Sequence, residues 1–177
     1  MGKDFEIKLY TNKDQIQKGL QEIANKAKHK KKIFRELSQT MLDYIERAFD
    51  TEGESMGEKW KNWSEKYYER VRKKIGGDIL TKNGDLRTSI RRKVTEDSAV
   101  VGTNMVYAAI HNFGYDDDIT RQTKNGTTTY HLNMPKRTYM DFTDDLTEQI
   151  ETELWGWLKI DEAERAEDQR IKELKGE

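Results

Sequence analysis

Residues 79–114 constrain the fold most strongly, because they combine turn signals, two β-rich runs and a helical pattern within one short stretch. Asn83-Gly84 is a turn dipeptide that opens the stretch. Asp85 follows it and can accept a hydrogen bond from an amide just beyond it, as helix-capping residues do. This order predicts a short helix over residues 86–90.

The second half of this stretch predicts a hairpin followed by a helix. Residues 91–95 and 99–103 are rich in β-branched side chains and are separated by a polar trio suited to a hairpin loop. Residues 106–113 then place apolar side chains at helical spacing, and Gly114 is the type of residue that ends a helix. The stretch therefore predicts helical and extended elements in close succession.

Aromatic residues precede the central stretch at helical spacing. Trp60 and Trp63 lie three residues apart and Tyr67 follows four residues later, with a helix predicted over about residues 64–74. This spacing is typical of a packing face and favours burial over a platform that stacks on bases. With the apolar residues of the central stretch, the predicted core comprises Trp60, Trp63, Leu86, Ile90, Tyr107, Ile110 and Phe113.

The N-terminal part predicts a strand and one long amphipathic helix. Residues 5–10, FEIKLY, alternate apolar and polar side chains, as a strand with one buried face does. From Asn12 onward, apolar residues recur every three or four positions as far as Ala48, with one interruption at the basic run 28–32. The pattern favours a solvated turn or outer helix face for this run over a nucleic-acid contact.

Composition limits the class of protein. The chain has 177 residues, of which 34% are hydrophobic and 37% charged, and its formal net charge is −1. Its mean hydropathy is −1.04. A monomer of this composition has a thin core and a large wetted surface, so much of the chain is expected to be solvated helix or surface that is buried only on assembly. No cysteine is present, which excludes disulfide and thiol chemistry.

No segment of the sequence resembles a membrane anchor or signal peptide. The longest apolar runs are far shorter than a bilayer span, and the start of the chain, MGKDFEIK, has no apolar core. We therefore expect a soluble protein that is not exported.

The C-terminal third predicts a projecting hairpin and a final helix. Residues 119–134 contain polar, threonine-rich arms around Asn125-Gly126, a dipeptide that favours a tight hairpin turn. Pro135 is expected to end the second arm. Thr143 is a suitable cap for the final helix, whose apolar positions are Leu146, Ile150, Leu154 and Trp157.

No residue pattern predicts an enzyme. The three histidines, His29, His111 and His131, are far apart and show no metal-ligand spacing. Asp116, Asp117 and Asp118 could bind a divalent cation, but they lack the glycine and the alternation of a calcium loop, so a solvated turn is the preferred interpretation. The sequence contains no nucleophile elbow or phosphate-binding glycine loop. Catalytic, cofactor-binding and metal sites are accordingly not expected.

Several segments together resemble the phage virion morphogenesis family, the small tail-completion proteins of Mu-like and P2-like tailed phages. The central stretch carries L-R-x-S-I and then VVGTNMVYAAIHNFG, upstream lies FDTEGESMGEKWKNW, and downstream lies MPKRTYMDFT. The resemblance covers roughly residues 35–155. Pro135 and Arg137 stand at matching positions, whereas Asn112 stands where the family usually has Gln and Thr138 replaces a second proline.

The resemblance and the patterns above imply an α+β fold. A long N-terminal helix and a C-terminal helix are expected to pack on a small, mostly antiparallel sheet from which a β-hairpin projects. Residues 1–160 are predicted to form a single domain. Residues 161–177, which are charged and have almost no apolar stripe, are predicted to be a helical or disordered extension.

The function that the resemblance implies is structural: tail completion or head-to-tail joining in a tailed phage or prophage. The family's structural relatives commonly form six-fold rings, so a hexamer is one expected form, and neck, connector or tail-tube proteins are the expected partners. DNA held in the channel is a further possible contact, and no membrane is involved. The expected location is the virion neck or tail, after assembly in the host cytoplasm.

Candidate interface residues lie on the hairpin and just beyond it. They are Thr123, Asn125, Gly126, Thr128, Tyr130 and Arg137, the last of which could bind a carboxylate of a neighbouring segment or subunit through both edges of its guanidinium. The alternative function is a nucleic-acid-binding or nuclease accessory protein that uses the basic run 28–32 and the aromatic residues Trp60, Trp63 and Tyr67.

Overall fold

The computed structural model describes residue 16 and residues 30–96, 98–124 and 126–175. The predicted strand over residues 5–10, and the predicted helix over residues 12–29 apart from Ile16, lie outside the described residues. Ile16 itself is helical and buried.

Helix α1 spans Lys30–Asp50 and is amphipathic. Its apolar positions recur every three or four residues, which places them on one stripe of the helix. The buried members of this stripe are Ile33, Phe34, Leu37, Met41, Tyr44, Ile45 and Ala48. The predicted apolar face of this helix, from Phe34 to Ala48, is therefore confirmed.

The chain forms two compact units, and each of them is discontinuous in sequence. Within the described residues the first unit comprises Tyr44–Arg91 and Gly102–Asp141, and the second comprises residue 16 and residues 30–43, 92–101 and 142–175. Helix α1 contributes its C-terminal end to the first unit and its N-terminal part to the second. The prediction that residues 1–160 form a single domain stays a prediction.

The first unit contains short helices and one long hairpin. Its elements in chain order are a 3₁₀ turn Glu54–Met56, α2 (Glu65–Tyr67), a π-helical turn Tyr68–Arg72, α3 (Lys73–Ile75), α4 (Asp85–Ser89), α5 (Ala108–Phe113), strand β3 (Tyr115–Thr123) and strand β4 (Gly126–Met134). Between α4 and α5 in the chain lie β1 (Arg91–Val94) and β2 (Ala99–Gly102), which pair with each other and belong mainly to the second unit.

The short helices lie close to their predicted positions. Ser64 caps α2 by accepting a hydrogen bond from the Tyr67 amide at 3.4 Å. Before α4, however, Gly84 adopts a left-handed conformation with φ of 75°, and no side chain caps the helix. The predicted capping role of Asp85 is therefore wrong, because this residue already lies in the first turn.

The second unit is organised around α6, which spans Asp144–Lys175. Thr143 lies just before it and accepts a hydrogen bond from the Leu146 amide at 3.2 Å through its hydroxyl, as predicted. Leu146, Ile150 and Leu154 are buried, and the stripe continues to Leu158 rather than to Trp157. The Trp157 ring nitrogen instead donates to the Glu36 carboxylate at 3.0 Å.

The predicted α+β class is confirmed, but the strands form two separate two-stranded antiparallel sheets. The β3–β4 sheet is polar along most of its length, so it does not present the broad apolar face that a helix needs in order to pack on a sheet.

Candidate assembly interface

The β3–β4 hairpin is the most extended exposed element of the first unit. Each arm has nine residues, and the antiparallel register runs from Tyr115 opposite Met134 to Thr123 opposite Gly126. Among the described residues no third strand pairs with either arm. Both outer edges of the hairpin therefore present backbone groups that a strand from another chain can bind.

The first arm starts earlier than the sequence indicated. Asp116, Asp117 and Asp118 were expected in a solvated turn, whereas the structure places all three in β3. His131 lies across the hairpin and contacts the Asp118 carboxylate at 3.1 Å and the Asp116 carboxylate at 2.9 Å. These cross-strand contacts offset the negative charge of Asp116 and Asp118, whereas Asp117 lies opposite Leu132 and its carboxylate accepts from the Asp118 amide at 2.7 Å.

The same contacts raise the pKa of His131. The hydrogen bond to Asp118 is the main cause, and the hydrogen bond to Asp116 is the next. The imidazolium is therefore favoured in the folded hairpin. No group of three or more histidine or acidic residues among the described ones has the geometry to hold a metal ion.

The hairpin register separates a polar face from a more apolar one. Asp116, Asp118 and His131 lie on the polar face, together with a cross-strand contact at 3.0 Å between the hydroxyl oxygens of Thr120 and Thr129. The other face carries Tyr115, Ile119, Tyr130, Leu132 and Met134, together with the charged residues Asp117 and Arg121. The sequence analysis found no face of this kind, although the alternation of Tyr130, Leu132 and Met134 was a usable signal.

The interface candidates of the hairpin have different surroundings. Thr123, Gly126 and Thr128 are exposed, and Tyr130 retains 47% exposure on the more apolar face. The Thr123 hydroxyl donates to the Gly126 carbonyl at 2.7 Å beside the turn. Asn125 lies outside the described residues.

Arg137 has an internal position, and its guanidinium binds backbone carbonyls of a neighbouring segment rather than the predicted carboxylate of a neighbouring segment or subunit. It is only 5% exposed. Its Nε donates to the Lys61 carbonyl at 3.0 Å and its Nη2 to the Asn62 carbonyl at 3.4 Å. Burial lowers its pKa. The side chain thus joins the segment after the hairpin to the tryptophan-containing segment of the same unit.

The predicted core residues divide into buried and exposed groups. Trp60, Leu86 and Ile90 are buried. The Trp60 ring nitrogen donates to the Thr138 carbonyl at 2.7 Å, and its ring meets that of Phe49 edge-on with centroids 5.5 Å apart. Trp63 is half-buried.

Helix α5 presents a different face from the predicted one. Ile110 is half-buried, but Tyr107 is 40% and Phe113 62% exposed. The expectation that Tyr107 and Phe113 lie in the core is therefore wrong for the single chain. The helix instead buries Ala108 and Asn112, because their polar groups bind the segment around Tyr139.

This pairing of α5 with the Tyr139 segment is a determinant that the sequence analysis missed. The Tyr139 hydroxyl donates to the Ala108 carbonyl at 2.9 Å, and its pKa is raised by burial. In the sequence, Asn112 is notable only as a residue that stands where the phage virion morphogenesis family usually has Gln, and nothing in the local pattern indicated that its side chain would bind the segment around Tyr139.

A family model described as the phage virion morphogenesis family matches residues 11–159. The chain belongs to this family. The matched residues include the hairpin, α5 and the internal Arg137. Membership supports a structural role in virion assembly and points away from an enzyme.

Two curated relatives of this virion morphogenesis protein come from Mu-like phages. The putative capsid assembly protein G of Escherichia phage Mu is 32% identical over 90 residues, which cover 49% of this chain and 58% of that protein. The Mu-like prophage FluMu G protein 2 of Haemophilus influenzae is 29% identical over 110 residues, which cover 62% of this chain and 70% of that protein. The chain thus matches little more than half the length of the phage Mu relative.

No solved structure matches the chain. Within the described residues, no helix combines the length and the apolar character needed to cross a bilayer.

Proposed function

We propose that this virion morphogenesis protein completes the tail or joins head to tail, and that it acts as a ring of identical subunits at the neck or tail end. The family supports an assembly role, and the phage Mu relative carries the name of a capsid assembly protein. The expected partners are further copies of the chain and the neck, connector or tail-tube proteins.

The β3–β4 hairpin is the observation that carries the proposal. A two-stranded ribbon is marginal by itself, and this one exposes most of its side chains and has two unpaired outer edges among the described residues. Strand addition by a neighbouring copy satisfies the backbone groups of such an edge and buries the more apolar face. If the contact is head-to-tail, repetition closes a ring whenever the rotation between copies fits a closed circle.

Loss of the gene in the phage or prophage tests this function. Electron microscopy of the particles produced is expected to show unjoined heads and tails or unfinished tails, and complementation in trans is expected to restore complete virions. Complete, infectious particles without the protein would contradict the proposal. The native mass of the purified protein tests the ring independently.

The contacts of the basic run 28–32 give little support to the alternative function in nucleic-acid binding. Lys31 binds Glu96 at 3.1 Å, and the Lys32 ammonium lies 4.7 Å from the centroid of the Trp157 ring. Both lysines thus have contacts within the second unit. A gel shift with double-stranded DNA separates the two functions, because binding to phosphates weakens steeply with salt.

A further inference from the structure

A pocket of about 720 Å³ in the first unit is lined by two buried arginines. Its size falls within the range of about 300 to 1,000 Å³ that is usual for sites that take small ligands or side chains. Trp63, Tyr67 and Tyr107 contribute aromatic surface to its wall. The pocket thus combines apolar walls with a small number of strong hydrogen-bond donors.

Arg72 is the first of these arginines, and its charge is not neutralised by any carboxylate of the described residues. It is 2% exposed. Its Nη2 donates to the Asp78 carbonyl at 2.6 Å, whereas Nε and Nη1 have no hydrogen-bond partner among the described residues. The guanidinium carbon lies 4.5 Å from the centroid of the Trp63 ring. A buried cation with unused donors is costly unless an anion approaches it.

Arg137 is the second buried arginine of the pocket, and its partners are neutral. The two closest acceptors of its guanidinium are backbone carbonyls, and the third contact is with the Met134 sulfur at 3.8 Å. No ion pair with a carboxylate forms at either arginine within the described chain. Two positive charges therefore lie close to one pocket without an acidic partner.

With the remaining charged residues included, the net charge of the pocket lining is still positive. Lys61 and Lys82 also line it, and Asp85 is its single acidic residue. The amide of Asn83 already donates to the Asp85 carboxylate at 3.3 Å. His111 lies beside Arg137, whose amide donates to the His111 carbonyl at 2.9 Å. The Nδ1 atom of His111 is buried and has no partner among the described residues, and burial, followed by the charge of Arg137, lowers the pKa of this histidine.

We propose that this pocket binds the carboxylate of a single acidic side chain that a protein partner inserts between the aromatic walls. An acidic side chain supplies the missing negative charge and can accept charge-assisted hydrogen bonds. The aromatic walls suit the apolar residues beside it. The proposed assembly role is the reason for expecting a protein partner, and the carboxylate site rests on that role in no other way.

The surrounding charges favour one carboxylate over a nucleic-acid backbone. Asp85 lies in the pocket wall, and the exposed Asp116 is the cross-strand partner of the pocket residue Asn133. These carboxylates repel a polyanion that runs past the pocket, whereas a single carboxylate that enters it meets mainly positive charge.

Binding of short peptides to the purified full-length protein tests the proposal. The probes are a blocked peptide with one glutamate between aromatic and aliphatic residues, its glutamine counterpart and a mixed-sequence single-stranded DNA. The ring resonances of His111 report binding, because an anion beside the arginines raises the pKa of this imidazole. The glutamate peptide is expected to bind roughly tenfold more tightly than the glutamine peptide, as a charge-assisted contact requires.

Variants locate the binding. Arg72→Met is expected to weaken binding of the glutamate peptide by roughly tenfold or more, and Lys82→Gln by roughly two- to fivefold. Lys124→Gln changes an exposed lysine of the hairpin turn and serves as the matched control, with unchanged binding expected. A thermal melt shows whether Arg72→Met folds. If it does not fold, the affinity of Lys82→Gln for the glutamate peptide, compared with that of Lys124→Gln, decides the test.

Three results would overturn the proposal: equal binding of the two peptides, no change of the His111 resonances with either peptide, or tighter binding of the DNA at physiological salt. None of them bears on the virion phenotype of the gene deletion. A failed carboxylate site and a failed assembly role are therefore distinguishable.

Discussion

The side-chain carboxamide of Asn112 binds the backbone of Met140 through two antiparallel hydrogen bonds. The Asn112 Nδ2 donates to the Met140 carbonyl at 3.0 Å, and the Asn112 Oδ1 accepts from the Met140 amide at 3.0 Å. The same oxygen also accepts from the Tyr139 amide at 3.0 Å. One fully buried carboxamide thus replaces the strand that would otherwise satisfy this backbone.

Removal of this carboxamide is expected to destabilise the first unit. Asn112→Ala leaves two buried amides and one carbonyl without partners, and we expect a loss of about 2 to 4 kcal/mol in the free energy of unfolding. Asn133→Ala serves as the control, because this asparagine is exposed in β4. Urea denaturation measures both variants, and equal midpoints would show that the Asn112 network contributes nothing.

Gly53 and Gly57 allow steric and conformational effects to be separated. Both have positive φ, 89° and 95°, so that alanine at either position costs about 1 to 2 kcal/mol in backbone strain. A Cβ at Gly53 would also overlap the Trp60 ring, whereas a Cβ at Gly57 would meet nothing within 4 Å. We therefore expect Gly53→Ala to lower the melting temperature well below that of Gly57→Ala. Similar melting temperatures would mean that Trp60 moves aside without cost.

The two described histidines are expected to titrate on opposite sides of the ordinary imidazole pKa of about 6.5. The hydrogen bond to Asp118, followed by that to Asp116, raises the pKa of His131, whereas burial, followed by the charge of Arg137, lowers that of His111. NMR titration of the ring protons measures both. A His131 midpoint at or below that of His111 would contradict the described contacts.

The sign of each shift determines its effect on stability. The raised pKa of His131 means that its contribution is complete below the unfolded value and is lost as pH rises through the folded value. The lowered pKa of His111 means that the neutral form is favoured, so stability falls as pH drops below the unfolded value. Asp118→Asn is expected to return the His131 midpoint towards the ordinary value without moving that of His111.

Local sequence patterns predicted most elements but not the partners of particular polar residues. The stripe of α1, the two hairpins and the cap of α6 follow from periodicity and turn chemistry, which act over a few residues. The face of α5 depends on Asn112 meeting the backbone of Met140, and the burial of Arg137 depends on the carbonyl of Lys61. These contacts join positions far apart in sequence, and a single sequence carries no signal for them.

The variant Phe113→Ala tests which face of α5 is buried. If Phe113 were buried, as helical spacing alone predicts, this change should lower the free energy of unfolding by about 3 to 5 kcal/mol. Because the ring is 62% exposed, we expect a change below about 1 kcal/mol in the isolated chain. Leu86→Ala, at a residue that is 3% exposed, is the matched control and should cost about 2 to 5 kcal/mol. Chemical denaturation measures both variants, and comparable losses in the free energy of unfolding would show that Phe113 is buried.

Shortening the hairpin tests the proposed mode of assembly. Deletion of residues 122–128, with the gap closed by a short turn, removes the outer part of both arms. Among the described residues of this part, all side chains are exposed. We expect the thermal melt of the remaining protein to stay nearly unchanged, because this part adds little to the core. The same deletion is expected to abolish the ring, or its docking to the tail, as measured by native mass and by complementation of a deletion phage.

Point variants on the two faces of the hairpin show whether the ring needs its more apolar face. Tyr130→Ser removes the exposed aromatic side chain of that face, whereas Thr129→Ser is a conservative change on the polar face and serves as the control. If the Tyr130 ring is buried against a neighbouring copy, only Tyr130→Ser weakens the oligomer, by roughly tenfold or more in its dissociation constant.

Two outcomes for the protein shortened by deletion of residues 122–128 would contradict the assembly role. If the shortened protein unfolds, the hairpin is part of the core. If the shortened protein assembles and complements normally, the hairpin is dispensable, and in either case it does not have the assembly role proposed for it.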